Sequence, residues 1–168
     1  TAQTLENLLI NGRRYWTHNF DSLTNQSNIN FALLNDNDYL EVTGGKNNFA
    51  NGNKGDDRFV LRAGQKGQYF GGKGADTFEV FGGIDSYING DKGADQIILR
   101  GGLGRYLGGD DGDRIEVLAA DSGSWVNGNR GNDFITGAAA GVTYRGGKDD
   151  DVLAVSQGDV WGLSLIHI

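Results

Sequence analysis

The sequence predicts an all-β protein, a right-handed parallel β-roll or β-solenoid of about seven 19-residue coils with an N-terminal cap. Three observations predict it. A glycine recurs every nineteen residues, at Gly52, Gly71, Gly90, Gly109, Gly128 and Gly147. A column of acids follows in phase: Asp57, Asp76, Asp95, Asp113, Asp133 and Asp151. The composition is that of turns, with 29 Gly and with 18 Asp set against only 4 Glu. Asp and Gly favour turns and caps over helix interiors. A fixed short period is the signature of stacked repeats, each of which buries its apolar face only against its neighbours.

Composition excludes several alternatives. With no Pro and no strict Gly-X-Y period, a collagen triple helix is ruled out. The absence of Cys removes disulfides, zinc thiolates and thiol nucleophiles. His18 and His167 are the only histidines, too few for a histidine metal centre. A net charge of −7 argues against nucleic acid and anionic lipid as partners. No apolar run is long enough for membrane insertion.

Each coil reads as corner, strand, second turn, strand. At the corner, the first glycine is followed three residues later by Gly55, Gly74, Gly93, Gly112 and Gly131, with Asp150 in the sixth coil. Two coils are a residue short at this corner and regain it later. Nineteen residues before Asp57, Asp38 marks a degenerate first coil, so the array runs over 33–165. After the acid, apolar and polar residues alternate, as in Asp76-Thr77-Phe78-Glu79-Val80, with Phe59 and Leu61, Ile97 and Leu99, and Ile115 and Val117 in the same columns. Alternation at period two is a strand with one buried face. The second turn carries Gly44-Gly45, Gly82-Gly83 and Gly101-Gly102, and a second strand follows at Tyr87-Ile88, Tyr106-Leu107 and Trp125-Val126. Seven coils stacked at the strand spacing make a rod of roughly 34 Å.

The ends do not repeat. Residues 1–32 read as a cap or docking segment: a short helix over Thr4–Ile10, a turn at Asn11-Gly12, and a strand at Arg13–Thr17. A solenoid needs its first edge covered. The tail, 166–168, closes an apolar end, Leu163–Ile168.

The corner has a physical logic. Glycine lets successive carbonyls turn toward a common point, and aspartate adds a hard anionic oxygen. Stacked corners offer two carboxylates and several carbonyls in each gap. Oxygen-rich sites of this kind suit Ca2+. Without a cation, the stacked carboxylates repel.

The segments GGKGADTFEV, NGDKGADQIIL and NGNRGNDFITG resemble the nonapeptide of the RTX, or hemolysin-type, family. The similarity covers about four-fifths of the chain. It implies a calcium-bound parallel β-roll of a secreted or surface protein. The ligands would be Asp38, Asp57, Asp76, Asp95, Asp113, Asp133 and Asp151, with carbonyls of the glycine pairs Gly52/Gly55, Gly71/Gly74, Gly90/Gly93, Gly109/Gly112 and Gly128/Gly131. Because the second turn has no aspartate column, one calcium row is expected where the usual roll has two. A one-row, nineteen-residue version forms the ice-binding segment of large RTX adhesins. Its outward Thr array is replaced here by Lys73, Lys92 and Arg130, which disfavours ice binding.

Two further columns stand out. Lys54, Lys73, Lys92 and Arg130 form a cationic stripe that Asp111 and Asp149 interrupt, and charge compensation beside the acids is the favoured reading. Tyr87, Tyr106, Trp125 and Tyr144 share a nineteen-residue column, read either as an exposed ladder for a glycan or partner or as a stacked column that stabilises the sheet.

The functional expectation is a non-enzymatic calcium-binding module, extracellular or surface-exposed, that folds on calcium and serves as a structural or adhesive element. The aspartates are accounted for by the repeat, with no need of paired-carboxylate catalysis. The alternatives are a structural subunit of an assembly (S-layer, adhesin stalk or virion decoration) and a glycan-binding accessory module.

Overall fold

The computed structural model describes residues 6–10, 13–17, 21–23, 26–33 and 35–161. The chain opens with β1 (Glu6–Ile10) and β2 (Arg13–Thr17), an antiparallel pair in which Ile10 faces Arg13. The helix expected over the first of these is therefore a strand. Asn11-Gly12 between the two is the two-residue hairpin signal, and it outweighs local helix propensity.

From there the strands alternate between two sheets. They are β3 (Asp21–Leu23), β4 (Asn30–Ala32), β5 (Tyr39–Lys46), β6 (Phe49–Lys54), β7 (Arg58–Gln65), β8 (Gln68–Lys73), β9 (Thr77–Val80) and β10 (Ser86–Lys92). They continue as β11 (Gln96–Arg100), β12 (Gly104–Asp110), β13 (Arg114–Ala119), β14 (Trp125–Arg130), β15 (Phe134–Gly137), β16 (Thr143–Lys148), β17 (Val152–Val155) and β18 (Asp159–Trp161). Odd strands β3 to β17 make one eight-stranded parallel sheet and even strands β4 to β18 the other, each strand bonded to the one two places on. This is a β-solenoid, with no helix among the described residues. The rung formed by β3 and β4 pairs with β5 and β6, so coiling begins inside the segment read as a cap. The apolar end lies outside the described residues.

The core is the narrow space between the sheets. From the first sheet come Leu40, Phe59, Phe78, Ile97 and Ile115, all fully buried, with Val42, Leu61, Val80, Leu99 and Val117 beside them. Stacking in register places like on like, and the Phe59 and Phe78 rings lie parallel, 4.6 Å apart. The second sheet contributes Ala50, Tyr69, Ile88, Tyr106, Val126 and Tyr144. Small or aliphatic residues alternate with tyrosine along this column, so a bulky ring is always followed by a slighter neighbour. Such complementary volumes fill a thin core without voids.

Coil length varies in one place only. Between the inward residue of the second sheet and the corner aspartate the count is always seven, from Ala50 to Asp57 through Tyr144 to Asp151. The second turn absorbs every difference. Leu99 and Ser86 pair eighteen residues on, with Val117 and Gly104, because Arg100–Leu103 is a residue short. The next coil recovers the residue, and Tyr106 faces Val126. The corner was expected to be the short element; the pairing moves the deletion to the second turn.

Candidate functional site

The corner aspartates form one continuous ladder. Their side chains turn inward, and Asp57, Asp76, Asp95, Asp113, Asp133 and Asp151 are almost fully buried. Each Oδ1 accepts the backbone N–H of the aspartate one coil earlier. Asp38 donates to Asp57 at 2.8 Å, Asp57 to Asp76 and Asp76 to Asp95 at 2.7 Å, and Asp95 to Asp113 and Asp113 to Asp133 at 2.8 Å. Asp133 closes the series on Asp151 at 3.0 Å. The ladder thus adds a side-chain hydrogen bond between coils at the corner, beside backbone bonds such as Thr77 N–H to the Asp57 carbonyl.

The other carboxylate oxygen is left over. Oδ2 of Asp57, Asp76, Asp95 and Asp113 is buried without a hydrogen-bond partner. At the C-terminal end, the Asp133 and Asp151 carboxyls interact with each other. The first glycine of the corner makes room for Oδ2. A Cβ on Gly52, Gly71, Gly90 or Gly128 would strike Oδ2 of the aspartate five residues on, and also the carbonyl of the matching glycine in the next coil. The same holds at Gly108, and Gly146 meets Asp151 in the same way. So a carboxylate oxygen and a carbonyl oxygen converge beside each of these glycines except Gly146, which meets the carboxylate alone, and this gives the five-residue Gly-to-Asp spacing its cause.

This geometry corrects three glycine assignments. Gly108 and Gly146, not Gly109 and Gly147, hold the cradle position in their coils. Gly109 lies in a left-handed column with Asn53, Gly72, Asp91 and Asn129. The second corner position is held by Gly55, Gly74, Gly93, Asp111 and Gly131, all at positive φ, so Gly112 falls one place later, level with Ala75 and Ala94. A residue lost from the second turn at 100–103 accounts for Gly109 and Gly112, and another lost between β15 and β16 for Gly147.

Burial raises the ladder's pKa values. Desolvation is the main cause, the accepted N–H opposes it, and neighbouring carboxyls add to it. Asp57 is pushed up to about 7, Asp76 to about 6, Asp95 to about 7, Asp113 to about 8 and Asp133 to about 7. Asp151 also rises, again chiefly through burial. Among the described residues no three His, Asp or Glu side chains converge into a metal cluster. The carboxylates stand one per coil, so any cation here would draw on carbonyls as well.

The aromatic column does not exist as a single face. Tyr106 and Tyr144 are fully buried and stack with Ile88 and Val126. Tyr87 and Trp125 lie on the outer face, in line with Arg105. Nineteen-residue spacing misleads here because coils of eighteen and twenty alternate, and a one-residue slip sends a side chain to the opposite face. The cationic stripe is also revised. Lys92 pairs with Asp110, Asp110 with Arg130, and Arg130 with Lys148. Asp110 is thus the only acid in that column from Lys54 to Lys148, and Asp111 and Asp149 stand outside it.

The fold and its ladder define a parallel β-solenoid repeat protein. No family model, no curated protein and no solved structure matches the chain.

Proposed function

We propose that the chain is a non-enzymatic, calcium-stabilised β-solenoid module of the RTX type, acting as a structural element of a secreted or surface protein. The observation that carries this reading is the row of buried Oδ2 atoms without partners. A buried carboxylate oxygen left unsatisfied is costly, so each must hold either a proton or a cation. A carboxylate and a carbonyl converge beside Gly52, Gly71, Gly90, Gly108 and Gly128, which supplies hard oxygen donors of the kind that Ca2+ takes. Asp57, Asp76, Asp95, Asp113 and Asp133, with carbonyls of Gly71, Gly90, Gly108, Gly128 and Gly146, would hold the row. When bound, calcium would neutralise the stacked charge and so contribute folding free energy. Low calcium inside a cell and high calcium outside would then couple folding to export.

The test is circular dichroism and thermal melting of the full chain across a calcium titration, with chelator and magnesium controls. A transition to β structure, or a rise in melting temperature with calcium and not magnesium, is expected. A chain equally folded and equally stable in chelator would overturn the calcium reading and leave protons on the ladder.

A further inference from the structure

The outer face of the second sheet carries a pattern with twice the coil period. Phe49-Ala50-Asn51-Gly52-Asn53-Lys54 is echoed 38 residues later by Tyr87-Ile88-Asn89-Gly90-Asp91-Lys92, and 38 later again by Trp125-Val126-Asn127-Gly128-Asn129-Arg130. In each copy the first, third and fifth residues face outward and the second and fourth face the core. The intervening coils place Gln68, Arg105 and Thr143 beside the aromatics and Gly72, Gly109 and Gly147 beside the amides. Two strand spacings separate successive copies, about 9.6 Å.

The second and third copies are built alike, while in the first the Asn53 backbone N–H donates to Asn51 Oδ1 and Asn53 Nδ2 donates to the Leu33 carbonyl. Asn89 Nδ2 donates to Asp91 Oδ1, and Asn127 Nδ2 donates to Asn129 Oδ1 at 2.5 Å, which holds the fifth-position side chain in place. The glycines of the intervening coils keep the space between copies open. The result is an open groove of about 510 Å³ lined by Asn51, Asn53, Asn89, Asp91 and Asn129, with Lys73, Lys92 and Arg130 along one side and Asp110 among them, 4.0 Å from Arg130. The aromatics stand beside it on the same strands: the Phe49, Phe70 and Tyr87 rings succeed one another at 5.4 and 5.6 Å, and Trp125 lines a separate depression with Arg105 and Arg145, whose guanidinium lies 5.5 Å over its ring.

We propose that this face binds a linear acidic polysaccharide, with one aromatic–amide–cation copy for each disaccharide. The strands here are interior to the sheet, so their backbone groups are spent and recognition falls to side chains. Aromatic faces stack on sugar rings, amides exchange hydrogen bonds with hydroxyls, and the Lys/Arg row meets carboxylates. A repeat of about 9.6 Å suits a polymer whose chemical repeat is two sugars in an extended chain. Nucleic acid fits less well. Its charges fall at one per nucleotide with no two-unit repeat, which does not match a face that repeats every second coil.

The experiment is affinity electrophoresis and calorimetry of the full chain in calcium buffer. The probes are polygalacturonate and hyaluronan, a neutral mixed-linkage β-glucan, single-stranded DNA, and acidic oligosaccharides of two, four and six sugars. An acidic polysaccharide should be retained and the neutral glucan and DNA not, with affinity rising at each added disaccharide up to six sugars. Tyr87→Ala and Trp125→Ala should each weaken binding about tenfold, as for aromatic anchors elsewhere. Lys92→Glu with Arg130→Glu should abolish it, while Phe134→Ala on the opposite sheet should leave it unchanged. Circular dichroism of each variant confirms the fold, and the charge reversal serves as an independent check if an aromatic variant misfolds. Retention that survives both aromatic substitutions, equal retention of DNA or neutral glucan, or no retention at all would overturn the proposal. So would a dimer in solution that Trp125→Ala dissolves, since a second copy would then own this face.

Discussion

Asp57 donates its backbone N–H to Oδ1 of Asp76, one coil further on, at 2.7 Å. The relation repeats from Asp38 to Asp151 and makes each aspartate both a corner residue and a rung of the hydrogen-bond ladder. It separates two jobs within one carboxyl group. Oδ1 serves the fold, and Oδ2 is left for a proton or a cation.

That division predicts different outcomes for two substitutions at Asp95. Asp95→Ala strips the acceptor from the Asp76 N–H and should cost about 1–3 kcal/mol with or without calcium. Asp95→Asn keeps the acceptor and adds a donor where a proton would sit. In chelator its melting temperature should equal or exceed that of the parent, and in calcium it should fall below. Parallel melts of the three chains check this.

The cradle glycines predict a second contrast. Gly90→Ala drives a methyl into Asp95 Oδ2 and the Gly108 carbonyl, and overpacking of this kind costs about 1–3 kcal/mol. Gly112→Ala occupies the position held by Ala75 and Ala94 in other coils and should change stability by no more than about 0.5 kcal/mol. Urea denaturation of the two variants distinguishes them.

The pH dependence should reverse with calcium. In chelator the ladder carboxyls titrate at about 6 to 8, above their ordinary value of 3.8. The folded chain then holds protons that the unfolded chain releases. That stability is fully present below pH 3.8, fades as pH rises through the folded values, and is gone above about pH 8. Acidifying the chelated protein from pH 8 to pH 5 should therefore raise its melting temperature. With calcium bound, protons compete with the metal, and the same acidification should lower it.

Insertions should be tolerated in the second turn and not in the corner. One glycine added after Leu103 restores a nineteen-residue coil and should cost no more than about 1 kcal/mol, since loop length is a weak entropic term. Deleting Lys92 shortens the corner and shifts its strand by one residue, which turns Ile88 outward and Tyr87 inward. That variant should fail to fold, as judged by circular dichroism and solubility.

Much of this protein is legible in its sequence. The nineteen-residue period, the corner with its aspartate column, and the alternation of Phe78 and Val80 with polar neighbours each follow from local chemistry, because turns and strand faces are written in adjacent residues. The all-β stack follows from them. Other features needed the pairing between coils. Gly108 and not Gly109 cradles Asp113, Tyr106 is buried while Tyr87 faces out, and Lys148 joins the cationic column while Asp149 leaves it. The first two depend on where one residue is lost between Arg100 and Leu103, and the third on a second loss in the turn between β15 and β16. A turn can take up that loss anywhere along its length without changing composition or motif. Only hydrogen bonding to the next coil sets the register, and register decides which face every side chain takes.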